Sequence, residues 1–424
     1  MREADILWDV VEEHLDEAAF LWTQWERALV APGCKLKDVV RGPEERLLAH
    51  IDGLVVAGEP AVGRLLVPAL EGGGPEKAFA AALALLDGPA PDAAARVLAR
   101  LDGAAPEVAA ALTRALGLAH RKGLEEALLQ ATRAGGGPQK AAALSALALR
   151  RVLVPGLAAL LASRDPAILA PALAAARVGG QQNANFVEAA FASGSTAVRD
   201  AALETGLVLG IRSAWTACQR IADQKRPDAA FPLLALALSG EEGDLQRILA
   251  ALGVGESRPA AVVALGYSGR VAAVEACLPL LPDEKLGRLA GEAVSAITGL
   301  EIDGEYRKKP AAEPEEPPAL DADDLDADLV PGPEAELPEP EAAAVERWWK
   351  NARARFDPKV RYLGGKPWSP EALAAAFAQG SMRRRRVLGL ELAVRSKGEF
   401  DVETRGWVGG RGGGGAGFRN HFGR

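Results

Sequence analysis

The sequence predicts an all-α protein: a solenoid of about eight helix pairs followed by a small C-terminal helical module. Three observations lead there. The apolar half of the composition is carried mainly by alanine and leucine, while aromatics make up only 5%. Ala and Leu lose little on entering a helix, whereas strand-rich folds draw on Val, Ile, Thr and aromatic residues. The 424 residues are enough for two or three globular domains or for one long array. Finally, short apolar phrases recur along the chain at a nearly constant interval.

The recurring phrases are VVA (55–57), LLD (85–87), ALG (115–117), ALR (148–150), RVG (177–179), VLG (208–210), ALS (237–239) and ALG (264–266). Their last residues are spaced by 30, 30, 33, 29, 31, 29 and 27 positions. A period near thirty marks a repeat whose units are too small to bury their own apolar faces and must stack on one another. Each unit reads as one apolar helix, a short break, and a second helix with an apolar stripe. The clearest copy is AAVVALGYSGRVAAVEACLPLL, Ala260–Leu281, with a first helix predicted to end at Gly266. Val271, Val274, Cys277 or Leu278, and Leu281 then form the buried stripe of the second. The pattern weakens at Pro155, Pro166 and Pro171, where proline is expected to interrupt it.

In order along the chain, residues 1–40 read as an N-terminal cap helix, with Ile6, Leu7, Val10, Val11, Leu15, Ala18 and Leu21 or Trp22 on one stripe. Residues 41–302 are the repeats. Residues 303–341 read as a disordered acidic linker: 311–346 hold thirteen Asp or Glu, no Lys or Arg, and recurrent proline. Residues 342–405 read as a basic helical module, in which Ser369 caps PEALAAAFAQ and a second helix follows Gly380. Residues 406–424 read as a disordered glycine-rich tail. Charge is polarised along the chain: 347–424 carry seventeen Lys or Arg against six Asp or Glu, while the whole is −8 with pI about 5.4. The acidic whole argues against a nucleic-acid binder.

No stretch approaches the ~20 apolar residues of a membrane span, and the acidic N-terminus lacks a signal peptide's basic start. Cys34, Cys218 and Cys277 are dispersed and odd in number. They predict reduced thiols in a soluble, cytoplasmic protein.

Candidate sites are few. His50 and Asp52, in RLLAHIDGLVVAG, are two residues apart, which on a helix sends their side chains to different faces. They do not form a catalytic couple, and His50 is expected to be partly buried. None of the four histidines has metal-ligand spacing, and no phosphate loop or GxSxG is present. No catalytic residue, cofactor or metal is therefore assigned. Partner-binding candidates are Trp215, Arg383, Arg384, Arg385, Arg386, Trp348 and Trp349. Trp215, with Cys218 one turn on, reads first as core and second as a ligand anchor on the concave face. The four arginines point in four directions on a helix. They read as a solvated face pairing with nearby acids, the linker among them, ahead of a partner or phosphate contact. Trp348, Trp349 and Trp368 read as docking the C-terminal module, ahead of stacking on a nucleobase.

The thirty-residue unit, and LGRLAGEAVSAITGL (Leu286–Leu300) at its end, resemble HEAT-type repeats, which implies a HEAT-like α-solenoid. More narrowly, FLWTQWERAL with RLLAHIDGLVVAG, the AWTAC stretch, and RYLGGKPW with GSMRRRRVLGLELA resemble an uncharacterised proteobacterial HEAT-repeat family associated with type VI secretion gene neighbourhoods. The resemblance spans nearly the full chain and brings no active site with it. It implies a non-enzymatic scaffold or adaptor whose partner is a secretion spike, adaptor or effector protein. The alternatives are a HEAT-repeat DNA-glycosylase-like enzyme, which needs a basic concave face with an acid beside aromatics, and a bilin-lyase-like chromophore carrier.

Overall fold

The computed structural model of the chain describes residues 6–309 and 333–409. These residues form an all-α, solenoid-like fold. Their one strand ladder is a hairpin of two residues a side, Tyr362–Leu363 (β1) antiparallel to Lys366–Pro367 (β2). The chain divides into two units. The first is Met1–Ala217 with Phe377–Arg424, and the second is Cys218–Ala376.

In the first unit, α1 (Trp8–Ala28), α2 (Leu36–Val39), α3 (Glu45–Ala57), α4 (Glu59–Ala61) and α5 (Val67–Gly72) lead into a regular series. There α6 (Pro75–Asp87), α8 (Pro106–Leu118), α10 (Gly137–Leu149), α12 (Pro166–Ala176) and α14 (Thr196–Val208) form a ladder, each packed on the next. They alternate with α7 (Ala93–Arg100), α9 (Leu124–Ala134), α11 (Leu157–Leu161), α13 (Ala184–Ala190) and α15 (Arg212–Asp223), inside which the division between units falls. The ladder helices bury more than one face, as helices packed between neighbours do, although α14 also carries Arg199, Asp200 and Glu204. Every residue of α6 from Ala78 to Leu86 is buried. The alternate helices are one-sided: α9 buries Leu124, Leu128 and Ala131 and exposes Glu125 and Glu126.

Proline acts differently from the sequence expectation. Pro166 does not interrupt its repeat but opens α12, just as Pro75, Pro106 and Pro138 lie in the first turns of α6, α8 and α10. The first turn has no intrahelical acceptor for the N–H that proline lacks, so nothing is lost there. Pro171 does lie inside α12.

The far ends of the ladder helices are closed by cations from the following repeat. Arg121 Nη1 donates to the carbonyls of Leu86 (3.5 Å) and Gly88 (3.0 Å), and Arg150 Nη1 to those of Gly117 (3.5 Å) and Ala119 (2.6 Å). Both satisfy orphaned carbonyls at the negative end of a helix dipole.

At the start of the ladder, α1 packs on α3 and α6. It buries Val11, Leu15, Ala18, Leu21 and Trp25, and Trp22 stacks on Phe79 at 4.4 Å. The predicted stripe was two residues too wide: Leu7 and Val10 are exposed.

The second unit repeats the arrangement with α16 (Ala230–Ser239), α18 (Arg258–Ser268) and α20 (Gly287–Thr298) as ladder, alternating with α17 (Glu242–Ala251) and α19 (Val271–Cys277). α18 runs through the predicted stop at Gly266 to Ser268, and Gly269 (φ 69°) takes the left-handed cap. The predicted stripe of Val271, Val274, Cys277 and Leu281 is buried. Burial pushes the Cys277 thiol up to about 12.

Here Arg270 closes the end of α16 through the Gly240 carbonyl, as in the first unit, but the ends of α18 and α20 are met by main chain. RYLGGKPW, which contains β1 and β2, lies over the C-termini of α18 and α20. Tyr362 N–H donates to Gly269 (2.7 Å), Gly364 N–H to Ala296 (2.8 Å) and Gly365 N–H to Ile297 (2.9 Å). Arg361 adds bonds to the carbonyls of Tyr267 and Ser268. A Cβ on Gly269 would lie 2.5 Å from the Tyr362 oxygen, and one on Gly299 2.8 Å from the Gly364 oxygen. The glycines are required by close approach.

Two expected segments differ in the structure. The linker 303–341 is ordered at both ends: Arg307 bridges Pro340, Lys308 N–H donates to Glu339 (2.9 Å), and Glu341 N–H donates to Tyr306 (2.8 Å). Residues 310–332 of it lie outside the described residues. The module 342–405 does not form one body. α21 (Ala342–Ala352) and the hairpin belong to the second unit, the division falls within α22 (Pro370–Gln379), and α23 (Met382–Arg395) belongs to the first. The Ser369 cap is present, its Oγ accepting from Ala372 N–H at 3.1 Å.

Candidate functional site: a groove filled by the C-terminal arm

The most elaborate constellation of polar side chains in the first unit is gathered around residues 401–409. This arm follows α23, contains neither helix nor strand, and crosses the ladder from α12 back towards α1. A segment outside helix and strand leaves many of its N–H and C=O groups to be satisfied by side chains, its own or those it lies on. Here the groove supplies many of the partners.

At its start, the Asp401 carboxylate is held between Arg151 (3.0 Å) and Arg177, which follow the ends of α10 and α12. Arg177 also pairs with Glu204 of α14 at 2.7 Å, so it is oriented from both sides. Arg151 has φ 57°, a left-handed conformation that costs a non-glycine residue roughly 1 kcal/mol. The side chain kept in that position is the one that reaches Asp401.

Midway, α8 and α1 act together. Arg114 Nε pairs with Glu26 (2.6 Å), and Arg114 Nη2 donates to the carbonyl of Arg405 (2.9 Å). The other Glu26 oxygen takes the guanidinium of Arg405 at 2.7 Å. Burial, opposed by Glu26, lowers the pKa of Arg114 from its ordinary value.

At the far end, Trp407 is buried, its indole N–H donating to the Leu118 carbonyl (2.8 Å) and its ring 4.8 Å from that of Trp25. The next two residues close on Glu44, which is 1% exposed. That carboxylate accepts from Trp25 Nε1 (2.9 Å), from Val408 N–H (2.9 Å) and from Gly409 N–H. A buried carboxylate is tolerated only when such donors surround it. Gly409 sits so close that an added Cβ would meet Val40 Cγ1 at 3.0 Å. The tail predicted as disordered from residue 406 is thus docked through Gly409; Gly410–Arg424 lie outside the described residues.

The sequence-predicted candidates lie elsewhere. Arg385 is buried, donating to the Phe377 carbonyl (2.5 Å) with its guanidinium 3.9 Å above the Phe377 ring, and burial lowers its pKa to about 10. Arg386 is exposed, 3.7 Å from Glu204. Arg383 and Arg384 are half-buried, and the main chain of this stretch is tied down, with Met382 N–H on Cys34 O (2.8 Å) and Arg383 N–H on Ala31 O (3.2 Å). The four arginines do point in different directions and do not present one basic face. Trp349 is buried against Phe356 (5.4 Å) and Trp348 is half-buried beside it (6.3 Å), a packing cluster within the second unit. Trp215 is half-buried in α15.

The groove residues Trp25, Glu26, Glu44, Arg114, Arg151 and Arg177 were missed because they are spread over 153 positions and share no motif. One signal was available: RGWVG sets the largest side chain in a glycine-rich stretch, which an unstructured tail has no need of.

His50 is half-buried, and its partner is His14 of α1 rather than Asp52, Nδ1 to Nδ1 at 3.0 Å. One ring donates and the other accepts. Gly53 leaves the space, since a Cβ there would come within 2.6 Å of His14. An open cavity of about 460 Å³ lies at the end of α6, lined by Asp87, His120, Arg121 and Lys122 among others. Among the described residues no three His, Cys, Asp or Glu converge as a metal would need. Among them, too, no single helix is long and apolar enough to cross a membrane, although two sharply bent pairs match a span in length and composition.

No protein-family model matches the chain, and no curated protein matches it.

Proposed function

We propose that the protein is a non-enzymatic scaffold or adaptor that holds a protein partner on the ladder face of its first unit. The observation that supports this reading is the groove: side chains from α1, α8 and the ends of α10 and α12, with Glu44, converge on a segment outside helix and strand and bond to its side chains and to its main chain at Arg405, Val408 and Gly409. That is how a protein reads a segment of another chain. Resemblance to a HEAT-repeat family near type VI secretion genes makes a spike, adaptor or effector protein the partner to test. A cytoplasmic site of action suits three free cysteines, two of them buried.

The test is titration of the purified full chain with each purified spike, adaptor and effector protein of a type VI system from the same genome, by calorimetry. Saturable binding with Kd in the range of about 1 μM or tighter, weakened by Arg177→Glu, supports the reading. Failure of all of them to bind a folded chain refutes the type VI assignment.

A further inference from the structure

The arm itself carries the next step. We propose that Asp401–Gly409 is an intramolecular ligand of the groove, exchangeable with an external segment of the same chemistry. That segment carries a carboxylate, an indole six residues later, and two unblocked main-chain N–H groups directly after the indole. The inference rests on the adaptor reading and adds to it the partner's chemistry and a regulation by self-occupancy.

Three features separate this arm from an ordinary structural terminus. The first is how it is held. No helix or strand pairing joins 401–409 to the ladder; the contacts include Arg151 and Arg177 on a carboxylate, Arg114 on a carbonyl, Glu26 on a guanidinium, the Leu118 carbonyl and the Trp25 ring on an indole, and Glu44 on consecutive amides. Each recognises a chemical group that a different chain could present.

The second is preorganisation. Trp25 is packed in α1 and its indole holds Glu44 independently of the arm; Arg177 is held by Glu204, and Arg114 by Glu26. These four side chains keep a partner outside the arm, so they stay in place when it leaves, while Glu44 gives up the two arm amides. A site that pays no ordering cost binds an incoming segment more tightly.

The third is the junction. α23 ends in a left-handed turn at Lys397 (φ 54°) and Gly398 (φ 88°), with Gly398 N–H on Ala393 O at 2.8 Å. α23 is separately anchored through Met382 and Arg383. Residues beyond the turn can therefore lift without unravelling the helix before them.

A tethered ligand is present at an effective concentration on the order of mM, so an untethered copy competes poorly until the tether's own contacts weaken. The test uses the fluorescein-labelled nonapeptide DVETRGWVG, residues Asp401–Gly409, titrated into the full chain and followed by anisotropy. The Trp407→Ala chain should bind it at least about tenfold more tightly than the unaltered chain, because the competent fraction rises. Asp401→Asn, which leaves Trp407 in place, should give a smaller gain in the same direction. Adding Glu44→Gln to Trp407→Ala should reverse the gain. The proposal is overturned if both single variants keep their helical circular dichroism and neither binds the peptide better than the unaltered chain; the arm is then a fixed strap. That result would take the groove away from the adaptor reading, which would then stand or fall on the titration with secretion proteins alone. Peptide binding without binding of any secretion protein would keep the groove and remove the type VI partner.

Discussion

The two units are built from the same ladder of apolar helices, and they are finished by different chemistry. In Met1–Ala217 with Phe377–Arg424, side chains from successive repeats reach an arm that arrives from 224 to 382 residues away in sequence. In Cys218–Ala376, a hairpin lays its own N–H groups on the open ends of α18 and α20, at glycines that tolerate no Cβ. Repeats in a solenoid touch only their neighbours, so long-range closure determines whether the array melts as a unit. Closure by side chains can be exchanged for another ligand. Closure by main chain against glycine is a fixed part of the fold.

The largest test of this contrast is Trp407→Ala. Removing a buried tryptophan typically costs about 3–5 kcal/mol. The loss should fall on the first unit, seen as faster hydrogen exchange in α1 and α8, with α18 and α20 unchanged. Equal loss in both units would end the distinction. Gly269→Ala should do the converse: a left-handed position plus a 2.5 Å approach should cost roughly 2–3 kcal/mol, read as loss of protection in α18 and the hairpin. If protection is unchanged, the hairpin is not what closes the helix ends.

Glu44→Gln is smaller. It removes the charge and replaces one of two accepting oxygens, Oε1 that faces Gly409 N–H or Oε2 that faces Trp25 Nε1, by an amide NH2 that cannot accept, and should cost about 1–2 kcal/mol in urea unfolding of the first unit. A neutral result would mean that the Glu44 charge plays no part in holding the arm. Cysteine reactivity gives a graded readout: with its thiol pushed up to about 12, Cys277 should resist iodoacetamide at pH 8 until the second unit opens. Rapid labelling in the native chain would show the α19 stripe to be open.

The smallest effect concerns pH. Burial, then His14, holds the His50 imidazole below its ordinary 6.5. The unfolded chain then binds more protons than the folded one in the window between the two values. The stabilisation is present above about 6.5 and is lost as the pH falls through it towards the folded value. Melting temperature should drop between pH 7.5 and 5, and His50→Asn should make that slope shallower. An unchanged slope would show that the pair does not couple to folding.

Much of the architecture was legible because it follows from local rules. The thirty-residue period, the helices of the Ala260–Leu281 copy, the Ser369 cap and the buried Val271, Val274 and Cys277 all depend on near neighbours in sequence. The misreadings at Leu7, Val10 and Pro166 concern which face a helix turns inward and where its first residue falls, and those are settled by what packs against it. Arg383–Arg386 looked like a charged surface because four adjacent cations have no local reason to be buried. Arg385 is buried because the Phe377 ring and carbonyl lie beneath it.

By itself, then, the sequence determined an all-helical array and its period, since propensity and periodicity act within a few residues. Only the tertiary structure decided that Trp407 lies against Trp25, that Glu44 faces the amides of Val408 and Gly409, and that His50 faces His14. Such contacts join residues far apart in the chain through single hydrogen bonds or ring contacts. Their partners are chosen by where the stacked repeats happen to bring them, and a one-dimensional pattern carries no record of that distance.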